Sequence, residues 1–398
     1  PDEPLKISYI SGPGDLKGTF DHWRAGAFDP RTPSIAYSTQ YFELGKRLHA
    51  ELQVIMRGEP ALNLRQEDHV TFSRIPIPQS NGLFGYWKSL IGFALQCRSH
   101  LKAFRPHIVI VASNFFWPCF ALLRTNGARL VLTVHTTCWP MGMRKFSGRM
   151  KLENLLRKFG LIFVDTAICT SPECANQVDI LSSGRIPSRV QYPQQIRRWD
   201  SSQASPAASD SAFRRIVFVG RIEENKGVLD LLEAFRRIRV NHPDARLCYA
   251  GSGTFDGELR KRAEQEIAEG SVELLGHLDS AAVHAELNRA HVLVCPTTSR
   301  FFEGNAVVCY EAAVHGVPVI ASTMVPAREQ LAEGCLSFEA DSVEELAAAL
   351  DSVFGDSALY AKLSENVKKV GAIVFDRSRS WGSQLYPTML EAAEKKKR

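Results

Sequence analysis

The sequence predicts two doubly wound α/β domains in tandem, facing each other across a cleft, and three observations predict it. The chain has 398 residues, beyond the size at which a single hydrophobic core stops growing, so two domains are expected. Apolar strand-like runs alternate with helix-period segments, the pattern that builds a parallel sheet covered by helices. That alternation is broken once, from Trp199 to Ala212, where WDSSQASPAASDSA is poor in large apolar residues and rich in Ser and Ala. Such composition marks a linker or a surface insertion. With the boundary set near Tyr192, the N-terminal domain covers 1–192 and the C-terminal domain 193–377.

In the first half the run Ile7 to Ile10 stops at Ser11-Gly12-Pro13-Gly14 and reads as a strand ending in a loop. Further strands are expected at Leu52 to Met56, Ile108 to Ala112, Leu130 to Val134 and Thr166 to Cys169, with helices over Tyr41 to Leu48 and Lys88 to Phe104. The alternation restarts with strands at Ile216 to Val219, Leu247 to Ala250, Val272 to Leu274, Val292 to Cys295 and Val317 to Ala321. Helices are expected over Val228 to Arg239 and around Val307 to Val314. Trp381 to Ala393 reads as an amphipathic helix, so that 378–398 can cross back to the first domain, and the basic tail Lys395 to Arg398 reads as solvated.

Composition excludes several classes. Hydrophobic content of 45% and charged content of 23% are those of a globular protein, and no apolar run reaches the ~20 residues of a membrane span. The nine cysteines form no C-x-x-C pair or Cys/His cluster, which points to reduced core thiols and a cytoplasmic setting. The start shows no charged-then-apolar signal peptide. A net charge of +5 suits anionic substrates or an anionic membrane surface, and nothing in the sequence calls for nucleic acid.

Two motifs carry the chemistry. Glu303-Gly304-Asn305-Ala306-Val307-Val308-Cys309-Tyr310-Glu311 places two carboxylates eight positions apart. With the first in the loop before a helix and the second about two turns inside it, eight residues would rise about 12 Å, the span of a sugar diphosphate joined to a ribose. Solvated helix-surface charge is the plain alternative. Glu311, however, sits among Val307, Val308, Cys309, Tyr310, Ala312 and Ala313, where an unpartnered carboxylate is costly to bury. The second motif, Gly220-Arg221-Ile222-Glu223-Glu224-Asn225-Lys226-Gly227, follows a strand and precedes a helix. Arg221 and Lys226 would then project at the carboxyl edge of a parallel sheet, where open α/β folds bind ligands, and two cations there suit a diphosphate.

These segments, with FVGRIEENKGVLDLLEAF, Gly251-Ser252-Gly253 and Leu275-Gly276-His277-Leu278, resemble the family 4 retaining glycosyltransferases of GT-B fold, whose two domains are Rossmann-like. The resemblance covers residues 216 to about 330. It implies that Arg221 and Lys226 bind the donor diphosphate, that Glu311 hydrogen-bonds the ribose, and that Gly251, Gly253, His277 and Leu278 belong to the donor site. It also implies that Glu303, with the amides of Gly304, Asn305, Ala306 and Val307, holds the transferred sugar. The family usually carries Phe and then Gly or Pro after Glu-Gly, whereas this chain carries Asn305 and Ala306. In the first half the resemblance places Gly14 and Gly18 in a glycine-rich loop facing the donor phosphates, and His135, at the end of Leu130 to Val134, beside the transferred sugar. A plain turn and a structural histidine are the alternatives.

The expected activity is retaining, metal-independent transfer from a nucleoside diphosphate sugar, UDP first and GDP or ADP as alternatives, to a glycan or lipid-linked glycan. The catalytic set is His135, Glu303, Arg221 and Lys226. No D-x-D motif occurs, no metal ligand is assigned, and no cofactor is expected beyond the donor itself. The basic stretch Arg144 to Lys158, with Met150, Leu152, Leu155, Leu156 and Phe159 interleaved, can lie on an anionic membrane at the inner face of the cytoplasmic membrane. The alternative is a core-packed helix with a wet basic face. A nicotinamide dehydrogenase is excluded because Gly12-Pro13-Gly14 continues to Lys17-Gly18 out of register with G-x-G-x-x-G, and a P-loop kinase because no Gly-Lys-Ser/Thr follows. A synthase or phosphorylase on the same scaffold, or a non-catalytic sugar-binding module, remain the rival readings. The second would be marked by loss of a site charge.

Overall fold

The computed structural model describes residues 3–12, 14–32, 38–65, 69–76, 82–143, 145–193 and 214–397. Trp199 to Ala212, Pro13, Arg144 and Arg398 lie outside the described residues.

The first sheet holds β1 (Lys6–Ile10), β2 (Glu51–Arg57), β3 (Leu62–Arg65), β4 (Val70–Ile75), β5 (Ile108–Ala112), β6 (Arg129–Val134), β7 (Thr166–Cys169) and β8 (Ser188–Val190). Their order is β3-β4-β2-β1-β5-β6-β7-β8, parallel throughout except for antiparallel β3 against β4. The central strands are continuous apolar runs because both faces are covered; every residue of β5 is buried. One face packs Leu16–Arg24, Ser38–Arg47 and Trp381–Lys397, the other Gly82–Phe104, Gly148–Leu161 and Pro172–Ser182.

The second sheet holds β9 (Arg214–Val219), β10 (Ala245–Ala250), β11 (Val272–Gly276), β12 (Val292–Cys295), β13 (Val319–Ser322) and β14 (Cys335–Phe338). All are parallel, in the order β11-β10-β9-β12-β13-β14. The strand order reverses beside β9, which is where an open α/β sheet makes its ligand crevice.

The last helix, Trp381–Lys397, returns to the first domain. Trp381 is fully buried with Leu385 and Met389 in that domain's core, and its Nε1 donates to Thr133 Oγ1 at 3.0 Å. The Gly382 amide donates to Gln40 Oε1 at 2.7 Å. A close-packed core of this kind fixes the crossing segment.

The structure differs from expectation in local detail. β3, β4, β8 and β14 were not expected; they lie at or next to sheet edges, and their runs, such as LNLR and SRV, are short and half polar. The helix bearing Glu311 is Val308–Val314 and begins five residues after Glu303. Glu311 therefore sits in its first turn, not two turns in. The reason is local: Ala306 adopts φ 60°, a left-handed conformation that the helix cannot include.

Candidate active site

The carboxyl ends of the strands in both sheets converge on one cleft of about 660 Å³. From the first domain it is lined by Gly12 after β1, Ser113 and Asn114 after β5, His135 and Thr136 after β6, and Thr170 after β7. From the second it is lined by Phe301 to Val307, in the loop after β12.

Of the predicted cations and carboxylates, Glu303 lines the cleft and Lys226 pairs with it, whereas Arg221, Lys226 and Glu311 are not in the lining. Nζ of Lys226 lies 2.5 Å from Oε2 of Glu303, with both side chains largely buried. Thr297 Oγ1 donates to the same oxygen at 3.3 Å, and Nζ stands 3.9 Å from the Phe301 ring centroid, a cation–π contact. Arg221 is exposed, pairs with Glu223 at 2.6 Å, and has its guanidinium carbon 5.8 Å from the same ring. Glycine is required around this loop. Gly227 has φ 71°, and a Cβ there would meet the Pro296 carbonyl oxygen at 1.9 Å. Gly251 and Gly253 approach Gly220 and Ile222 just as closely, with added Cβ atoms 1.8 and 2.2 Å from their carbonyl oxygens. The β9 and β10 loops therefore stack backbone on backbone. His277 is exposed and Leu278 half-buried directly after β11.

Glu303-Gly304-Asn305 is docked against the first domain. A Cβ on Gly304 would lie 1.8 Å from the His135 carbonyl oxygen. Asn305 Nδ2 donates to the Thr170 carbonyl at 2.8 Å, and its Oδ1 accepts from the Tyr310 hydroxyl at 3.2 Å. Asn305, the departure from the usual family residue, thus makes a hydrogen bond between the domains. The His135 amide donates to Ser113 Oγ at 3.1 Å. Burial lowers the His135 pKa to about 4, so its imidazole is neutral near pH 7 and acts as a hydrogen-bonding group, not a cation.

Glu311 is buried, 4.0 Å from His284 Nε2. Gly14 and Gly18 do not line the cleft, where Gly12 and Leu16 represent their segment. Gly18 lies within the helix Leu16–Arg24, and a Cβ there would meet the Arg31 guanidinium that pairs with Asp15. Phe301, Thr297, Asn114 and Thr170 were not read from the sequence. Their signal is that each follows a strand at the carboxyl edge within a few residues.

Residues 200–370 match the family described as Glycosyl transferases group 1, and residues 38–183 match Glycosyltransferase Family 4. The chain belongs to the group 1 glycosyltransferases of GT-B fold. It is 29% identical over 203 residues to the phosphatidylinositol N-acetylglucosaminyltransferase gpi3 subunit of Schizosaccharomyces pombe, covering 51% of this chain and 44% of that one. It is 32% identical over 163 residues to a glycogen synthase of Mycobacterium tuberculosis, covering 40% and 38%. The chain thus spans less than half the length of these relatives. Among solved structures, a sucrose-phosphate synthase from Thermosynechococcus elongatus superposes with a TM-score of 0.69 at 20% identity, covering 98% of this chain and all of that one.

Proposed function

We propose that the protein is a retaining glycosyltransferase that moves a sugar from a nucleoside diphosphate donor, UDP first, to a glycan or lipid-linked glycan. The observation that carries this reading is the Lys226–Glu303 pair at the cleft, a fixed cation and a fixed carboxylate where diphosphate and sugar would adjoin. Leaving-group charge needs preorganised positive partners. Lys226 and Arg221 supply them, with no further charge required for that step. Glu303 and the amides after it hold the sugar hydroxyls, and neutral His135 hydrogen-bonds the sugar from the facing wall. The acceptor hydroxyl attacks on the face that the diphosphate leaves, and its proton passes to the departing phosphate oxygen, so the anomeric configuration is kept.

A lipid-linked acceptor is supported by the helix Gly148–Leu161. Leu152, Leu155 and Phe159, with Ile162 just beyond, are 49–62% exposed among exposed Lys145, Arg149, Lys151 and Lys158. Tyr86, Trp87, Ile91 and Leu95 of the helix Gly82–Phe104 are exposed on the same side of the sheet. Apolar and basic groups sharing one surface suit an anionic bilayer interface. No helix among the described residues is long and apolar enough to cross a membrane, so the contact would be peripheral. The phosphatidylinositol in one relative's name points the same way. Calorimetry of the purified protein against UDP-, GDP- and ADP-sugars tests the donor reading: one should bind, and Lys226→Ala should weaken it. Absence of binding to all three would contradict it.

A further inference from the structure

The first-domain wall of the cleft holds a buried hydrogen-bond donor that no described residue satisfies. Gln40 stands in the first turn of the helix Ser38–Arg47, is 5% exposed, and lines the cleft with Ser38 and Thr32. Its Oε1 accepts from the Gly382 amide at 2.7 Å. A backbone N–H can only donate, so this contact fixes which end of the side-chain amide is oxygen and leaves the NH2 turned elsewhere. Gly382 allows the approach, since a Cβ there would meet the same oxygen at 2.9 Å. Nε2 is buried and has no partner among the described residues. Of the buried side-chain atoms in that condition among the described residues, it alone belongs to a residue lining the cleft.

An unpaired buried amide donor costs stability, and such groups are rare in folded proteins, so this one points to a ligand. The rest of the lining says of what kind. Tyr9, Leu16, Tyr192, Pro193, Phe301 and Phe302 supply apolar surface of the sort that receives the C–H faces of a ring, with a few polar groups to orient it. Among the described residues no Lys, Arg or Asp lines the cleft, and its one carboxylate, Glu303, is held by Lys226. An acceptor carrying phosphate or carboxylate would bring an ion onto this wall with no lining cation to pair it, which is costly.

We propose that the acceptor is an uncharged sugar held on this wall with Gln40 Nε2 donating to one of its oxygens, which makes Gln40 a specificity-determining residue for the acceptor. This rests on the glycosyl-transfer reading and names the substrate class opposite the donor. The hydroxyl that accepts from Nε2 is not the attacking one, so Gln40 sets affinity and orientation and takes no part in the proton transfer.

The test follows nucleoside diphosphate release from whichever of UDP-, GDP- and ADP-glucose wild type turns over fastest, with the methyl α- and β-glycosides of glucose, galactose and mannose as acceptors. At least one glycoside should raise release above the rate in water, and its 6-phosphate should be at least about tenfold poorer in kcat/KM. Of that glycoside's monodeoxy forms, the one lacking the attacking hydroxyl should be inert, and another should be about tenfold poorer than the parent. Gln40→Met, with folding checked by thermal melting, should lose about that factor on the parent, mainly in KM, and no longer distinguish the second deoxy form, the coupling that a direct contact gives. Gln40→Glu keeps an oxygen for the Gly382 amide and can accept from the same hydroxyl, so it should restore the distinction, which a merely structural role would not do. Release to water with no glycoside accepted, equal use of glycoside and 6-phosphate, or a distinction kept in Gln40→Met would overturn the proposal while the donor reading stands. Wild type indifferent to every deoxy form but the inert one would overturn it whatever the variants do. Release from no donor, with or without acceptor, would overturn both.

Discussion

Lys226 and Glu303 are 77 positions apart in sequence and form a 2.5 Å ion pair within the second domain, with Glu303 lining the cleft. The cation suited to a diphosphate and the carboxylate suited to a sugar satisfy each other, so a donor must exchange this pair for its own contacts. Breaking a buried pair by removing one partner leaves the other charge seeking a ligand. Glu303→Gln should therefore bind free nucleoside diphosphate several-fold more tightly than wild type while turning over more slowly. Lys226→Ala should bind more weakly and lose ~10² to 10³ in rate. Calorimetry with the free nucleotide checks the first effect, and weaker binding in Glu303→Gln would show that the pair does not compete with phosphate.

Neighbouring residues in the same loop should respond with opposite signs. Gly304 has the His135 carbonyl at its Cα, leaving no room for a Cβ, so Gly304→Ala should undock the loop, lower the melting temperature and remove most activity. Ala306 holds φ 60°, which costs a non-glycine residue ~1 kcal/mol. Ala306→Gly should leave stability unchanged or raise the melting temperature by ~2 to 4 °C. Differential scanning calorimetry of the two variants decides it.

Stability should fall in acid through the buried imidazoles. The His315 pKa is about 4 in the folded protein against an ordinary 6.5, so between these values the unfolded chain binds a proton that the folded protein does not. The contribution is complete above pH 6.5 and is lost as pH falls toward 4, the loss amounting to about 3 kcal/mol there. His135, also near 4, acts in the same direction. Subtracting the melting curve of His315→Gln from wild type across pH 4 to 7 should show a difference confined to this window. A difference that grew above pH 7 would contradict the assignment.

The exposed face of Gly148–Leu161 should bind anionic vesicles. Each cation near such a surface contributes ~1 kcal/mol, so Lys151→Glu with Lys158→Glu should reduce vesicle sedimentation at low salt by more than tenfold. Leu155→Ser should reduce it further without changing donor binding. Arg157 is a poor target, because it donates to the Cys138 carbonyl at 3.1 Å and to Asn154 at 2.7 Å and so supports the fold. Wild-type protein that ignores the vesicles would end this reading.

Much of the fold was legible because its central strands are buried on both faces and print uninterrupted apolar runs: Ile108–Ala112, Thr166–Cys169 and Val292–Cys295 match expectation residue for residue. Strands such as Leu62–Arg65 and Ser188–Val190, at or beside the sheet edges, gain their structure from pairing, which a short half-polar run does not announce. The spacing of Glu303 and Glu311 was visible, but not that Ala306 delays the helix, since a left-handed φ at alanine leaves no mark in composition. The contacts Lys226–Glu303, Asn305–Thr170 and His284–His315 span 77, 135 and 31 residues. The first and third arise where loops and helices of the second domain pack together, and Asn305–Thr170 only where the two domains meet; no local pattern encodes any of them.

The central claim is retaining transfer with leaving-group charge carried by fixed cations. Its most direct test is time-resolved proton NMR of UDP-, GDP- and ADP-glucose turned over in EDTA, with water or a supplied glycan as acceptor. The account predicts nucleoside diphosphate release from at least one donor, unaffected by EDTA and greatly slowed in Lys226→Ala, with the α-anomer appearing first. A β-anomeric first product, or activity abolished by EDTA, would contradict it.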